Sequence, residues 1–226
     1  MDFTLILVFI LIVIILYFVF SKITKADGLT GLMDATKETV IPNKDMGITD
    51  KSVPASNYAY SVWTYVNEWN YRYGENKPIL KKDDLEIFFA PTQNDLVVKV
   101  PTLDPSDSES NTVYFECGVS NIPIQKWVNI IVSFYGKTID IYINGKLVKT
   151  CVLVNNPVIK LGTGVNLTSD GGFAGFTSKF NYINESMTPQ NAWTIYQKGW
   201  NENNLLSVNN GYDIDVVVTK NGEIIY

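Results

Sequence analysis

The sequence predicts an all-β fold: an antiparallel sandwich or barrel carrying one short helix near its C-terminal end and preceded by one membrane helix. Three observations lead there. An uninterrupted apolar run opens the chain. Short stretches of alternating or β-branched residues, separated by turn signals, fill the region from residue 57 onward. A single capped segment with helical spacing follows them.

The opening run, FTLILVFILIVIILYFVF, spans Phe3 to Phe20 and holds no charge, glycine or proline. A helix of this length reaches about 27 Å, close to the hydrocarbon thickness of a bilayer. Phe3, Leu5, Leu7, Phe9, Leu11, Val13, Ile15, Tyr17 and Phe20 are the expected lipid-facing anchor. Met1-Asp2 supplies no basic n-region, and SKITKADG offers no small-x-small cleavage site, so the run reads as an uncleaved anchor rather than a signal peptide. Lys22 and Lys25 flank its C-terminal end. By the positive-inside rule, the rest of the chain is expected on the cytosolic side of a single-pass protein.

Residues 21–56 carry Gly28, Gly31, Pro42, Gly47 and Pro54 among mixed charges without sustained periodicity, and are expected to form a linker or stalk, free or packed on the domain. Residues 57–226 are expected to form the domain. Tyr58–Val66 alternates, with Tyr58, Tyr60, Val62, Thr64 and Val66 on one face and Ser61, Trp63 and Tyr65 on the other. Expected strands follow at Leu85–Ala90, Leu96–Val100, Thr112–Cys117, Trp127–Phe134, Ile139–Ile143, Lys146–Val152, Val158–Leu161 and Gly172–Tyr182. Asn144-Gly145 is a type I′ hairpin signal, because both central positions need positive φ. Thr188 and Pro189 suit the N-cap and first position of a helix, Gly199 suits its end, and Trp193, Tyr196 and Trp200 form its apolar stripe. Residues 204–226 read as a final hairpin around Asn221-Gly222.

Composition narrows the chemistry. The net charge of −5 argues against nucleic acid as a partner. Histidine is absent, which removes Ser-His-Asp triads and histidine metal sites. No glycine-rich phosphate loop occurs. Asp83-Asp84-Leu85-Glu86 and Asp213-Ile214-Asp215 are the nearest carboxylate groupings, and neither places a third carboxylate as glycosidases of this kind require. The chain is therefore expected to be non-enzymatic. Cys117 and Cys151 make no disulfide framework and are expected to stay reduced in a cytosolic setting. Sequons stand at Asn166-Leu-Thr168 and Asn184-Glu-Ser186 and matter only on the other side of the membrane. Arg72 is the sole arginine, and the Asn-, Ile- and Tyr-rich, Ala-poor composition fits an A/T-rich genome.

The segment Ile122–Val148 resembles the central hairpins of laminin-G-like, concanavalin A-like jelly rolls. Trp127 opens a strand, Tyr135-Gly136-Lys137 turns it, and Tyr142-Ile143-Asn144-Gly145 ends the next. Gly171–Trp200 is similar too: Gly172-Phe173-Ala174-Gly175, the aromatic strand with Phe180 and Tyr182, then Thr188-Pro189 leading to Tyr196 and Gly199. The resemblance covers roughly residues 57–200 and implies a jelly-roll sandwich. One fold hosts many functions, so it implies little about activity. The architecture and composition are also similar to membrane-tethered proteins of large DNA viruses with an internal membrane.

The candidate contact loop is Glu68–Gly74, where Trp69, Tyr71, Arg72 and Tyr73 combine three aromatics with a guanidinium. Such residues suit protein hot spots or the faces of sugars, or cover the edge of the sandwich as packing. Asp104, Asp107, Glu109 and Asp170 offer the hard oxygen ligands that calcium takes, and no other cofactor is expected. The expected partners are the lipid bilayer and a protein, specifically a capsid protein if the chain tethers a virion's inner membrane to its capsid. A membrane-bound, glycan-binding lectin is the alternative.

Overall fold

The structure is a computed structural model that describes residues 10–14, 28–48, 56–83, 85–103, 112–158 and 164–201, and the backbone of 219–220 and 223–224. Residues 10–14 are helical and exposed, including Leu11 and Val13. Phe3, Leu5, Leu7, Phe9, Ile15, Tyr17, Phe20, Lys22 and Lys25 lie outside the described residues. Among the described residues no helix is long and apolar enough to cross a membrane.

The domain is a sandwich of two six-stranded sheets in which every paired neighbour is antiparallel. The strands are β1 (Met33–Asp34), β2 (Thr39–Pro42), β3 (Asn57–Val66), β4 (Lys77–Lys82), β5 (Leu85–Phe89), β6 (Leu96–Leu103), β7 (Thr112–Val119), β8 (Trp127–Tyr135), β9 (Thr138–Ile143), β10 (Lys146–Val152), β11 (Gly164–Leu167) and β12 (Gly175–Ile183). The first sheet has the order β1-β12-β3-β8-β9-β10, the second β2-β11-β4-β5-β6-β7. A separate pair, β13 (Thr219–Lys220) and β14 (Glu223–Ile224), brackets Asn221-Gly222. The expected strand segment 212–218 lies outside the described residues, as do residues 159–161 of the strand expected after Val158.

Alternation explains the core. Tyr60, Val62 and Val66 of β3, and Val128, Ile130, Val132 and Phe134 of β8, face Ile87, Phe89, Leu96, Val98 and Val100 of the second sheet. Side chains of this size contribute about 1.5–3 kcal/mol each when fully buried. Ala59, Ile131 and Tyr142 point the other way. They are buried too, because helix α1 (Pro189–Gln197) and the loop before it lie on that face, with Met187 and Ala192 completing a second small core. Tyr142 OH donates to Met187 O (3.1 Å), and Met187 N–H donates to Ser133 Oγ (2.8 Å), so both backbone groups of Met187 are satisfied. Trp63 stacks on Tyr196 at 5.7 Å, and Trp127 on Trp200 at 4.4 Å.

The helix follows its sequence signals: Thr188 Oγ1 accepts from Asn191 N–H (3.2 Å), Pro189 is the first residue, and Gly199 adopts φ 69°. Asn144 and Gly145 have φ 51° and 73°, as a type I′ turn requires. Gly145 meets a second demand. A Cβ there would sit 2.9 Å from Tyr196 Cβ, so only glycine lets α1 seat on the hairpin.

Two expectations need correction. Residues 28–48 fall inside the segment expected to be a stalk, yet they belong to the sandwich: β1 pairs β12, β2 pairs β11, and Ala35, Ile41 and Met46 are buried. Their strands are two and four residues long, too short to show periodicity. Cys117 and Cys151 are also not reduced; they form a disulfide with Cα atoms 6.1 Å apart. Each faces inward from the outermost strand of its sheet, β7 and β10, where the sheets have no hydrogen-bond ladder to join them.

The tyrosines of the core carry a pH signature. Burial pushes the Tyr60 phenol well above its ordinary value, with neighbouring Tyr58, Tyr182 and Asp83 adding to the rise. Tyr58 is raised for the same first cause. A phenol with a raised folded pKa contributes stability that is intact below pH ~10 and lost as pH rises from there through the folded pKa. The tyrosine contribution to the unfolding free energy is expected to be flat from pH 8 to about 9.5 and to fall steeply above. Tyrosinate absorbance from these rings should emerge only with unfolding. A tyrosinate signal from Tyr60 while the domain is still folded would contradict its burial.

Candidate functional site

Three loops of the candidate surface carry the chain from one sheet to the other at the same end of the sandwich, where the β1–β2 connection, residues 35–38, also crosses. They are residues 67–76 between β3 and β4, 120–126 between β7 and β8, and 168–174 between β11 and β12. The β5–β6 hairpin loop, 90–95, joins them. Crossing loops have to cover the open end of the core, and their backbone groups need partners there. Gln125 N–H donates to Val66 O, Ile122 N–H to Asn94 O, Gly74 N–H to Pro91 O, and Asn67 N–H to Ala174 O. Asn94 Nδ2 returns a bond to Ile122 O (2.8 Å). The four loops form one bonded surface.

Backbone strain concentrates on it. Of the eight described non-glycine residues with positive φ, five lie in these loops: Arg72, Asn121, Gln125, Thr168 and Asp170. Such conformations persist where surrounding contacts over-determine them, and they cluster at binding sites.

The loop 67–76 is held from beneath. Trp69 turns inward and packs edge-on to Phe89 at 5.8 Å, which in turn meets Phe173 at 5.4 Å. The ring expected as a contact therefore closes the end of the core. Its Nε1 and the nearby loop's Ser169 Oγ are buried without protein partners. Lys77, the first residue of β4, is 0% exposed. Its ammonium donates to Arg72 O (3.1 Å), Pro91 O (3.1 Å) and Glu75 O (3.4 Å), and stands 5.0 Å from the centre of the Trp69 ring. Burial lowers its pKa, the Arg72 charge lowers it further, and Glu75 opposes both. A compact cation aimed at three carbonyls fixes the turn more firmly than any apolar residue there would.

The upper surface is set by the remaining three residues. Arg72 Nε and Nη2 donate to Glu75 Oε2 (2.9 and 2.7 Å), while Nη1 reaches Gly172 O at 3.5 Å. The guanidinium thus ties the loop to its neighbour. Tyr71 is half-buried over Gly171, where a Cβ would come to 3.4 Å from its hydroxyl. Tyr73 stands free at 64% exposure, and Asp170 is exposed beside Gly171. Tyr73 is thus exposed on the loop that carries the Arg72–Glu75 pair, and Asp170 is exposed on the neighbouring loop to which Arg72 reaches. Sequence reading located the loop but not its support. Lys77-Pro78 carries no alternation, and nothing in KPILKK marks a buried lysine.

The other charged features are structural. Glu86 pairs with Lys81 (3.4 Å) and Lys99 (3.8 Å) in a ladder on the solvated face of the second sheet. Among the described residues no three acidic, cysteine or histidine side chains gather to hold a metal. Asp104, Asp107, Glu109, Asp213 and Asp215 lie outside the described residues.

Fold and site together define an all-β sandwich: two antiparallel sheets with a hydrogen-bonded, crossing-loop surface at one end. The chain belongs to a laminin G family described as the concanavalin A-like lectin/glucanases superfamily, whose family model matches residues 43–192. Solved structures of similar fold include botulinum neurotoxin binding domains. One, of mosaic serotype C/D, is 12% identical with a TM-score of 0.56 over 74% of this chain and 41% of that one. Another, of serotype D in complex with N-acetylneuraminic acid, is 12% identical with a TM-score of 0.54 over 72% and 40%. The DC domain in complex with SialylT is 12% identical with a TM-score of 0.53 over 71% and 39%. This chain thus spans about two fifths of their length, and the likeness is one of fold. No curated protein matches the sequence.

Proposed function

We propose that this is a non-enzymatic, membrane-tethered recognition module of lectin type, with a glycan as ligand of the crossing-loop surface. The observation that carries it is the exposed Tyr73 ring, on the same loop as the Arg72–Glu75 pair, a loop held from beneath by Lys77 and Trp69. A sugar's apolar face stacks on such a ring while its hydroxyls take bonds from polar side chains of the loops. The botulinum domains solved with sialic acid and SialylT make sialylated glycans the first class to test. The apolar run Phe3–Phe20 supplies the tether. The disulfide supports a placement of the domain on the oxidising side of that membrane, because cytosolic thiols are kept reduced. This reverses the side expected from Lys22 and Lys25, a rule of two charges.

Full-length protein in nanodiscs on a glycan array is expected to show binding that Tyr73→Ala weakens about tenfold, or about 1.4 kcal/mol. The exposed position leaves stability within about 0.5 kcal/mol. An array without a binder would sink the reading.

A second reading has one observation of its own. The outermost strand β10 and the residues after it expose Leu147, Val148, Val152 and Val154, a surface fit for docking protein. In that reading the chain is a structural component of a large DNA virus particle, linking inner membrane to capsid from the cytosolic side. The Cys117–Cys151 bridge opposes it.

A further inference from the structure

We infer that Asn184 is an N-glycosylation site. The inference rests on the proposed placement of the domain on the oxidising side of the membrane, where the glycan-transfer machinery of the secretory route also works. Two sequons occur in the chain, and the structure separates them.

Asn166 lies in β11, between β2 and β4, and is paired to both through Val40 and Lys81. Its Nδ2 donates to Glu38 Oε1 at 2.7 Å. The hydroxyl of its sequon partner is also engaged: Thr168 is buried, and its Oγ1 donates to Lys37 O at 2.7 Å. Both groups that a transferase must reach are committed to the fold.

Asn184 differs at each point. It sits on the connection from β12 to α1, outside any strand ladder, and both Asn184 and Glu185 are exposed. Its amide oxygen accepts from Tyr182 OH at 3.2 Å on the surface, and Ser186 is only half-buried. The residue between the sequon's ends is Glu185, not proline, so the motif is competent. Asn184 follows the end of β12 opposite Gly175, so a glycan there lies away from the crossing-loop end that holds Tyr73. It leaves the proposed binding surface open.

The transfer balances simply. The Asn184 amide nitrogen attacks C1 of an oligosaccharide carried on a polyprenyl diphosphate. The C–N bond forms, the C1–O bond to the diphosphate breaks, the lipid diphosphate leaves with the electron pair, and the amide proton passes to base.

The test is expression of the full-length chain in cells with a secretory glycosylation pathway, read by electrophoresis before and after an enzyme that cleaves the Asn–sugar bond. The expected result is a mobility step that the enzyme removes. Asn184→Gln and Ser186→Ala abolish it, while Ser186→Thr keeps it and Asn166→Gln leaves it unchanged. Thiol labelling of the same material under denaturing conditions reports Cys117 and Cys151. Bonded cysteines with Asn184 unmodified would overturn this inference and leave the placement of the domain standing. Free thiols with no glycan would overturn both.

Discussion

Replacing Cys117 and Cys151 together by alanine, or reducing the bridge, is expected to lower the unfolding free energy by about 4 kcal/mol. The bond closes a loop of sequence separation 34, and cross-linking a loop of that size removes about this much entropy from the unfolded chain. For a domain of this size the loss is roughly 10 °C in Tm. The folded state has its own reason for the bridge. β7 and β10 end their respective sheets, and Cys117 is buried in the shared core while Cys151 packs against it. Without the bridge that side is closed by side-chain packing and by the short β-bridge from residues 156–158 to Pro101–Leu103. Denaturant melts of the full-length protein with and without reductant measure the effect. A difference under about 1 kcal/mol would show that the thiols are unbonded in the working protein, and the placement on the oxidising side would fall with it.

Lys77→Ala is expected to cost about 4 kcal/mol, a value set by the cavity left at a fully buried position and by the lost bonds to three carbonyls. Lys77→Met separates the two parts. It keeps the stem against Trp69 but removes the donors, so about 2 kcal/mol is expected, with glycan binding lost because the turn carrying Arg72 and Tyr73 is no longer fixed. Because burial already disfavours the ammonium, the folded pKa lies below the unfolded one. The wild-type's Lys77 therefore gains stability as pH rises through that interval, a trend opposite in sign to the tyrosine effect. Chemical melts combined with array binding read both variants. Full binding by Lys77→Met would show that the turn is held by other contacts, chiefly the Arg72 clamp on Glu75 and Gly172.

Much of this fold was legible in the sequence because local chemistry specifies it. Asn144-Gly145 needs positive φ wherever it occurs, and Thr188-Pro189 starts a helix by supplying an acceptor and a preset φ. The alternation of β3 predicted its two faces. It did not predict that both would be buried, since Trp63 and Ala59 are covered only once α1 folds back over them. The strands β1, β2, β4 and β11 were not visible, for they are short or interrupted by Pro78 and lysines, and their burial comes from neighbours distant in sequence. At the candidate site the sequence located the loop by its aromatics and single arginine, yet it could not rank them. Trp69 and Tyr73 are equally aromatic in sequence, and only the position of Phe89 and Phe173 decides that one ring seals the core and the other meets solvent.

By itself, then, the sequence determined the β class of the domain, its capped helix, its I′ hairpin and the apolar run ahead of it, all properties of neighbouring residues. The tertiary structure decided which residues meet across long separations: Cys117 with Cys151, Lys77 with three carbonyls from two loops, residues 28–48 with the strands they extend, and Asn184 rather than Asn166 left at the surface. The physical reason is common to all four. Burial and hydrogen-bond partnership depend on chain reversals many residues away, and no local pattern encodes which distant group will arrive.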